Sequence, residues 1–449
     1  MVLCHSFFVT QFTAYSIHAI IKIVGVVGMN TINKLLEKYG QTIFYLFFFC
    51  GPIFDLVTSL SLHYLGSSMP IVLGIKLLFL VFLWVYAYPN MKNKKMIVLY
   101  YAFLLLYFSL FLWLMVQTQD AGTFFYQCQN LIRTFYLPLA LPCIICLMKE
   151  DKITVDYHKL AYLLLIYLIL LFLPIITKSG FNSYAYSKEG NLGWFYSTNE
   201  IGGILSILMP YFFLVLWQKK SILSLLFAVI FMFTCFSLGT KVPILSTLIV
   251  FGILFFYFSY QLWKQKKRLL LMELVLVVLI GIVSVWILLP KTSFYKNIQI
   301  HLDFLDIHSV SDLMTFNHID HFVFSSRLQF LLNTKETYDS ASIPEKLFGI
   351  GYIENYATDK VSTKTIEMDY YDIFYRHGII GMLLFFVPIC ATMLKKRTLT
   401  TSISMLLIFL LAFFSGHILV APSVSFLVGI ILTRKEELHE DWFYNCKLQ

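Results

Sequence analysis

From about residue 41 to residue 433 the chain is a succession of apolar runs. Only one polar break, between Pro290 and Asp369, is long enough to hold a folded element outside a lipid bilayer. About 20 apolar residues in a helix span roughly 30 Å of hydrocarbon. Windows of that length give about twelve spans, at 41–65, 70–90, 96–117, 127–148, 158–177, 196–217, 222–238, 243–263, 269–290, 370–394, 399–417 and 419–433. The last two are short and share the junction SGHILVAPS at 415–423, so one of them is a candidate re-entrant segment. With 59% hydrophobic and 13% charged residues, the soluble globular class is excluded. The expected fold is an all-α polytopic membrane protein of about 12 transmembrane helices with one large external loop. Its 44 Phe and 28 Tyr suit a lipid-facing surface with aromatic belts, and no cofactor is needed to explain them.

Orientation follows from the cations. Alternate breaks carry Lys92, Lys94 and Lys95, then Lys149 and Lys152, Lys219 and Lys220, Lys264 through Arg268, Lys395 through Arg397, and Arg434 with Lys435. The intervening breaks lack Lys and Arg or are sparse in them. The basic breaks are therefore read as cytoplasmic, which places both termini inside and the active face outside. The expected organisation is spans one to nine over 29–290, an external loop over 291–368, spans ten to twelve over 369–435 and a cytoplasmic tail over 436–449. Residues 1–28 mix His5, Gln11, His18 and Lys22 into a middling apolar run with no basic leader region, so they read as an extension ahead of a native start at Met29. The net charge of +9 belongs mostly to breaks beside anionic lipid and implies no nucleic acid.

Eight cysteines lie mostly in apolar segments and none in the long loop. They suggest neither a disulfide framework nor a metal site, and the pair Cys143 and Cys146 reads as packing. GIGYIEN at 349–355 lacks the strand and helix of a dinucleotide fingerprint, and no phosphate-binding loop of the GxxxxGK[ST] type is present. No cofactor is expected.

A charge at mid-bilayer costs about 2.5–3.5 kcal/mol, so those inside spans are informative. Lys76 and Arg133 each lie about six residues in from the external end of their spans, roughly 9 Å deep at 1.5 Å per residue. Lys241 occupies the short external turn SLGTKVP, Arg327 the long loop, and Arg376 a helix entering from outside. Glu200, Glu367, Asp369 and Asp372 share that level. Separate surface pairing and snorkelling explain single members of such a set. A ring of cations at the outer-leaflet level also suits a lipid pyrophosphate, whose oxygens Arg and Lys hold while charge grows on the leaving group. Gly193, Asn199, Gly202 and Gly203 open a helix with small residues, either for close packing or to admit lipid.

The ordered set GWFYSTNEIGGIL at 193–205, SLGTKVPIL at 237–245, SSRLQFLLNTKETY at 325–338, LFGIGY at 347–352 and EMDYYDIFYRHGIIG at 367–381 resembles the O-antigen ligase/polymerase superfamily of Wzy-like polymerases and lipid A–core ligases. The resemblance covers roughly 29–435. It implies a GT-C-like, metal-independent, inverting glycosyltransferase that uses undecaprenyl-pyrophosphate-linked oligosaccharide at the outer face of the cell membrane, with membrane lipid and polysaccharide-assembly proteins as its partners. The family's serine–arginine turn falls on GTK, which places Lys241 where an arginine contacts the pyrophosphate; charge is kept but the bidentate fork is lost. The family's loop arginine falls on Arg327. Ligases carry a histidine eleven residues before the last motif's glycine, whereas this chain has Glu367 before Gly378. That departure favours a polymerase of the Gram-positive capsule or exopolysaccharide type.

The expected site therefore has Glu367 and Asp369 as catalytic carboxylates, because an attacking sugar hydroxyl needs a proton acceptor. Arg327, Lys241, Arg133 and Lys76 are expected to hold pyrophosphate. Asp372, Arg376, His377 and His417 are the expected substrate-positioning groups. Asp369, Asp372 and Arg376 share a helix face, and an Asp372–Arg376 pair that merely fixes the helix entrance is the structural alternative. Packing is the corresponding alternative for the two histidines. Three functions stay open: a polymerase of lipid-linked repeat units, a ligase that moves a finished glycan, and a flippase or other transporter. A transporter predicts charges spread through the bundle and an internal repeat with broken helices. The one-sided charges favour an enzyme.

Overall fold

The computed structural model describes residues 29–65, 70–91, 94–118, 124–183, 189–219, 221–352, 365–393 and 397–436. The expectations for residues 1–28 and for the tail beyond 436 lie outside them. Ten helices precede the long polar segment: α1 (Met29–Leu65), α2 (Pro70–Ala87), α3 (Lys94–Thr118), α4 (Phe124–Thr134), α5 (Tyr136–Lys149), α6 (Tyr157–Thr177), α7 (Thr198–Lys219), α8 (Ile222–Leu238), α9 (Lys241–Lys264) and α10 (Arg268–Leu288). The polar segment contributes α11 (Ser293–Phe304), α12 (Arg327–Asp339) and α13 (Ile343–Phe348), after which α14 (Asp369–Met393), α15 (Leu399–Phe414) and α16 (Pro422–Thr433) return to the bundle. Among the described residues there is no strand, only an isolated bridge between Asn182 and Asn191. Among the described residues, nine helical stretches are long and apolar enough to cross a bilayer, with α4 and α5 forming one of them around a break at Phe135. Three shorter apolar helices, α8, α15 and α16, complete the set that the hydropathy windows predict.

Helix α7 is the centre of the bundle, for every residue from Ile201 to Val215 is buried. Its small residues pack closely: a Cβ at Gly202 would stand 3.4 Å from Pro243 Cδ, and one at Gly203 would collide with Ile418. The small-residue stripe is thus a helix contact. Helix α10 is the opposite case. Its apolar residues are exposed along its length, as expected of a span with lipid on every side.

At 12 residues and about 1.5 Å per residue, α16 is about 18 Å long, well short of a 30 Å hydrocarbon layer. The chain before it, from Ser415 to Ala421, is irregular, with Gly416 and His417 in the left-handed region at φ +64° and +60°. Irregular backbone at such a level persists only where protein groups or a cavity satisfy its polar atoms.

The polar segment is fastened to the bundle near both of its ends. Asn297 of α11 donates to the Glu189 and Gly239 carbonyls and accepts from Glu189 N–H, tying the segment to the turn that starts α9. Helix α14 is kinked at Gly378 (φ +67°, ψ −174°). The kink frees the carbonyls of Tyr375 and Arg376, which accept from Ile350 N–H and Gly351 N–H, each at 3.1 Å. Two glycines make this crossing, because a Cβ on Gly378 would lie 2.5 Å from Gly349 N and from the Leu347 carbonyl oxygen.

Gly378→Ala therefore both strains a left-handed backbone and collides with backbone. It should cost about 1–3 kcal/mol or more, read as a lower thermal midpoint of the detergent-solubilised protein. Gly252→Ala, inside α9 with nothing within 4 Å of its Cβ, should be neutral or slightly stabilising.

Candidate functional site

The segment EMDYYD folds so that its three carboxylates do different work. Asp372, one turn into α14, accepts from Ile366 N–H at 2.9 Å through Oδ1 and from Met368 N–H at 3.3 Å through Oδ2. It thus grips the backbone on both sides of Glu367. The side chains of Ile366 and Met368 are buried, and Glu367 between them has φ +61°, a conformation that costs a non-glycine residue roughly 1–3 kcal/mol. Hydrogen bonds to a charged acceptor stabilise by about 1.5–3 kcal/mol each, enough to hold it there. Asp369 acts on the facing turn: Oδ1 accepts from His417 N–H at 2.7 Å, and Oδ2 from Ile418 N–H at 2.9 Å and Leu419 N–H at 2.7 Å. This satisfies the irregular backbone before α16. Gly416 in that turn lies against Glu367, where a Cβ would meet the Glu367 carbonyl carbon at 2.5 Å. The side chain left to act outward is Glu367.

Its partner is Arg327, whose Nη2 is 3.2 Å from Glu367 Oε2 while Nη1 donates to the Phe414 carbonyl at 3.1 Å. Arg327 is the first residue of α12, reached through a π turn, Asp320–Phe324, and two consecutive left-handed residues, Ser325 and Ser326 (φ +56° and +69°). Buried Asp320 secures this approach by accepting from Leu328 N–H at 2.8 Å and Gln329 N–H at 3.0 Å, at the positive end of the helix. Lys241, first residue of α9, donates to the Phe322 carbonyl of the same turn and stands 4.6 Å from the centre of the Phe322 ring. Lys241 and Arg327 are therefore joined through one strained turn.

Glu367, Asp369, Asp372, Arg133 and His417 line a recess of about 70 Å³. Arg133 and His417 also line a cavity of about 630 Å³, so the two spaces share a wall. Lys76 faces the larger one. Both of these cations come with a carboxylate, for Lys76 is 3.2 Å from Asp55 and Arg133 is 3.1 Å from Glu200. Asp55 also accepts from the Tyr167 hydroxyl at 2.8 Å and from the Ser423 hydroxyl.

Three of the expected site residues have their side chains engaged within the protein. Asp369 borders the recess, but both of its oxygens are committed to backbone N–H groups, so it positions the 416–419 turn. Arg376 and His377 lie behind the site. Both are fully buried; Arg376 donates to the Gly351 carbonyl at 3.1 Å, and His377 is held between Tyr107 OH on Nδ1 (3.1 Å) and Tyr352 OH on Nε2 (2.9 Å). The Tyr352 hydroxyl also bonds Thr134 at 2.7 Å, and burial pushes that phenol well above the usual tyrosine range, so it stays protonated. This network anchors LFGIGY to the bundle. Asp372 directs both oxygens to backbone N–H groups at the helix entrance, and the groups it grips flank Glu367. Asp55, Tyr167 and Ser423 were missed. The signal for Asp55 was an acid inside an apolar run, IFDLV at 53–57, the same kind of anomaly that marked Lys76.

A family model described as O-antigen ligase like membrane protein matches residues 37–313 and 310–434. No curated protein and no solved structure matches the chain.

Asp372→Ala would leave two buried N–H groups without their acceptor, at about 1–3 kcal/mol each. A fall of roughly 2–5 kcal/mol in unfolding free energy is expected, measured by denaturation in detergent. An unchanged midpoint would mean that the grip on the Glu367 backbone does not hold the segment.

Proposed function

The chain belongs to the family of O-antigen ligase like membrane proteins, membrane enzymes of glycan ligation or polymerisation in general terms, and from that premise we propose that it is a polysaccharide polymerase. In this reading it moves a growing glycan from a polyprenyl pyrophosphate to the non-reducing end of a lipid-linked repeat unit at the outer face of the membrane. The observation that carries it is the ion pair between Arg327 and Glu367, with Glu367 held in a left-handed conformation beside a recess. Strain of this kind, secured by Asp372, is characteristic of functional positions. A carboxylate where ligases have a histidine favours polymerisation over ligation.

The pair supplies a mechanism. In the resting state Arg327 neutralises Glu367. An arriving donor offers Arg327 a better partner, because the guanidinium fork matches phosphate oxygens and pyrophosphate carries more charge than one carboxylate. Arg327 turns to the pyrophosphate and Glu367 is released to the acceptor hydroxyl. That hydroxyl attacks C1 of the donor from the face opposite the leaving group. Its oxygen forms the new bond to C1, the bond from C1 to the pyrophosphate oxygen breaks with its electron pair going to the pyrophosphate, and the hydroxyl proton passes to Glu367. One displacement inverts the configuration at C1. Lys241, joined to Arg327 through the 320–326 turn, adds positive charge on the leaving-group side. Asp372 and Asp369 hold Glu367 and its facing turn in place.

The test is to delete the gene, resolve lipid-linked and surface glycans by size, and complement with variants. Single repeat units on lipid at the outer face are expected to accumulate and to be cleared by the wild type. Glu367→Gln and Arg327→Ala, both inserted at normal levels, should lower polymer by at least about 100-fold, and Lys241→Arg should retain it. Finished polymer left unattached would indicate a ligase, and units trapped on the inner face a transporter. Normal polymer from Glu367→Gln would remove Glu367 as the base.

A further inference from the structure

The two ion pairs walling the larger cavity decide what it can hold. Formally, Lys76 and Arg133 contribute two positive charges and Asp55 and Glu200 two negative ones, so the four cancel. A pyrophosphate entering there would have to separate both pairs and leave two carboxylates facing an anion. The Lys76–Asp55 pair resists that most, since both side chains are largely buried and breaking the pair strands the remaining member. Asp55 is further fixed by Tyr167 and Ser423, and Lys76 donates to Ser423 at 2.6 Å, so this corner is a closed, prearranged cluster.

A neutral, hydroxyl-rich ligand meets no such penalty. A paired carboxylate and cation present an acceptor and a donor side by side, which is the complement of adjacent sugar hydroxyls, each both donor and acceptor. Ionised partners make those bonds about twice as strong as neutral ones. The cavity also carries aromatic surface, with Phe125 82% and Tyr196 59% exposed, available to cover the apolar faces of sugar rings. Its volume, about 630 Å³, is within the roughly 300–1,000 Å³ of small-molecule sites. The wall it shares with the Glu367 recess runs through Arg133 and His417.

We infer that this cavity is a glycan subsite: it takes uncharged sugar residues at the non-reducing end of the acceptor and presents their terminal hydroxyl to Glu367. Glu200 is its specificity-determining carboxylate, and Asp55 is a positioning one that holds Lys76. Lys76 and Arg133 hold those carboxylates and donate to sugar oxygens, so pyrophosphate contact falls to Arg327 and Lys241. The assignment rests on the polymerase reading of the Glu367 site.

The experiment uses the full-length protein in lipid nanodiscs. The probe is the reducing oligosaccharide released by mild acid from the organism's own lipid-linked repeat unit, with inorganic pyrophosphate as competitor. The wild type should bind the oligosaccharide, with no competition from pyrophosphate. Asp55→Asn, Glu200→Gln and Tyr196→Ala should each weaken binding about tenfold or more. Tyr196 is exposed, so its variant reports on the ligand even where Asp55→Asn disturbs folding. No binding by the wild type, equal binding by all three variants, or displacement by pyrophosphate would overturn the subsite. Loss of the polymerase reading shows instead in cells, as polymer made by Glu367→Gln, and leaves this binding result standing.

Discussion

The carboxylate of Asp372, bound to the N–H groups of Ile366 and Met368, holds Glu367 in a left-handed backbone conformation, and the geometry of the recess depends on that contact. Without it the residues before α14 would have no reason to turn Glu367 towards Arg327. A second carboxylate, Asp369, gathers three N–H groups of the turn before α16 and brings Gly416 against the back of Glu367. The same constraint underlies both: backbone that is not helical near a bilayer must find acceptors and donors within the protein. Carboxylates a few residues apart in sequence satisfy two separate breaks, and the third, Glu367, meets Arg327.

The loop-bearing face is assembled by similar economy. The kink at Gly378 frees two carbonyls for LFGIGY, whose Tyr352 then joins His377 and Thr134, so the polar segment is fixed to α4 and α14 through polar contacts. The 320–326 turn, gripped by Asp320 at one end and met by Lys241 at its middle, delivers Arg327 at a defined position. Two cations from distant parts of the sequence become one unit. In the proposed mechanism, substrate exchange at Arg327 couples donor arrival to release of Glu367, so the proton acceptor becomes available only when a leaving group is present.

Much of this was legible in the sequence because hydropathy in a bilayer is a strong, local signal. The apolar windows coincide with nine helices long enough to cross a bilayer and three shorter ones among the described residues, including the two flanking 415–421. The association of Arg327 with the EMDYYD segment followed from the ordered motifs. What was not legible is how the acidic motif divides its labour. Glu367, Asp369 and Asp372 are chemically alike, and only the fold shows that two of them meet backbone N–H groups. Arg376 and His377 misled for the same reason: a charged or titratable side chain on an entering helix looks alike whether it faces substrate or a buried carbonyl. Lys76 and Arg133 stand out as cations inside apolar spans, but their partners Asp55 and Glu200 lie 21 and 67 residues away, so the neutrality of the cavity was out of reach of any local window.

The most direct measurement is to reconstitute the purified protein in liposomes with the lipid-linked repeat unit as its sole glycan substrate and to analyse products by mass and by anomeric configuration. A ladder of longer glycans on lipid, one polyprenyl pyrophosphate released per new bond and inversion at each linkage, all absent with Glu367→Gln, is the result expected if Glu367 and Arg327 are the reaction centre. A ladder with retained configuration, or one that Glu367→Gln still produces, would contradict it.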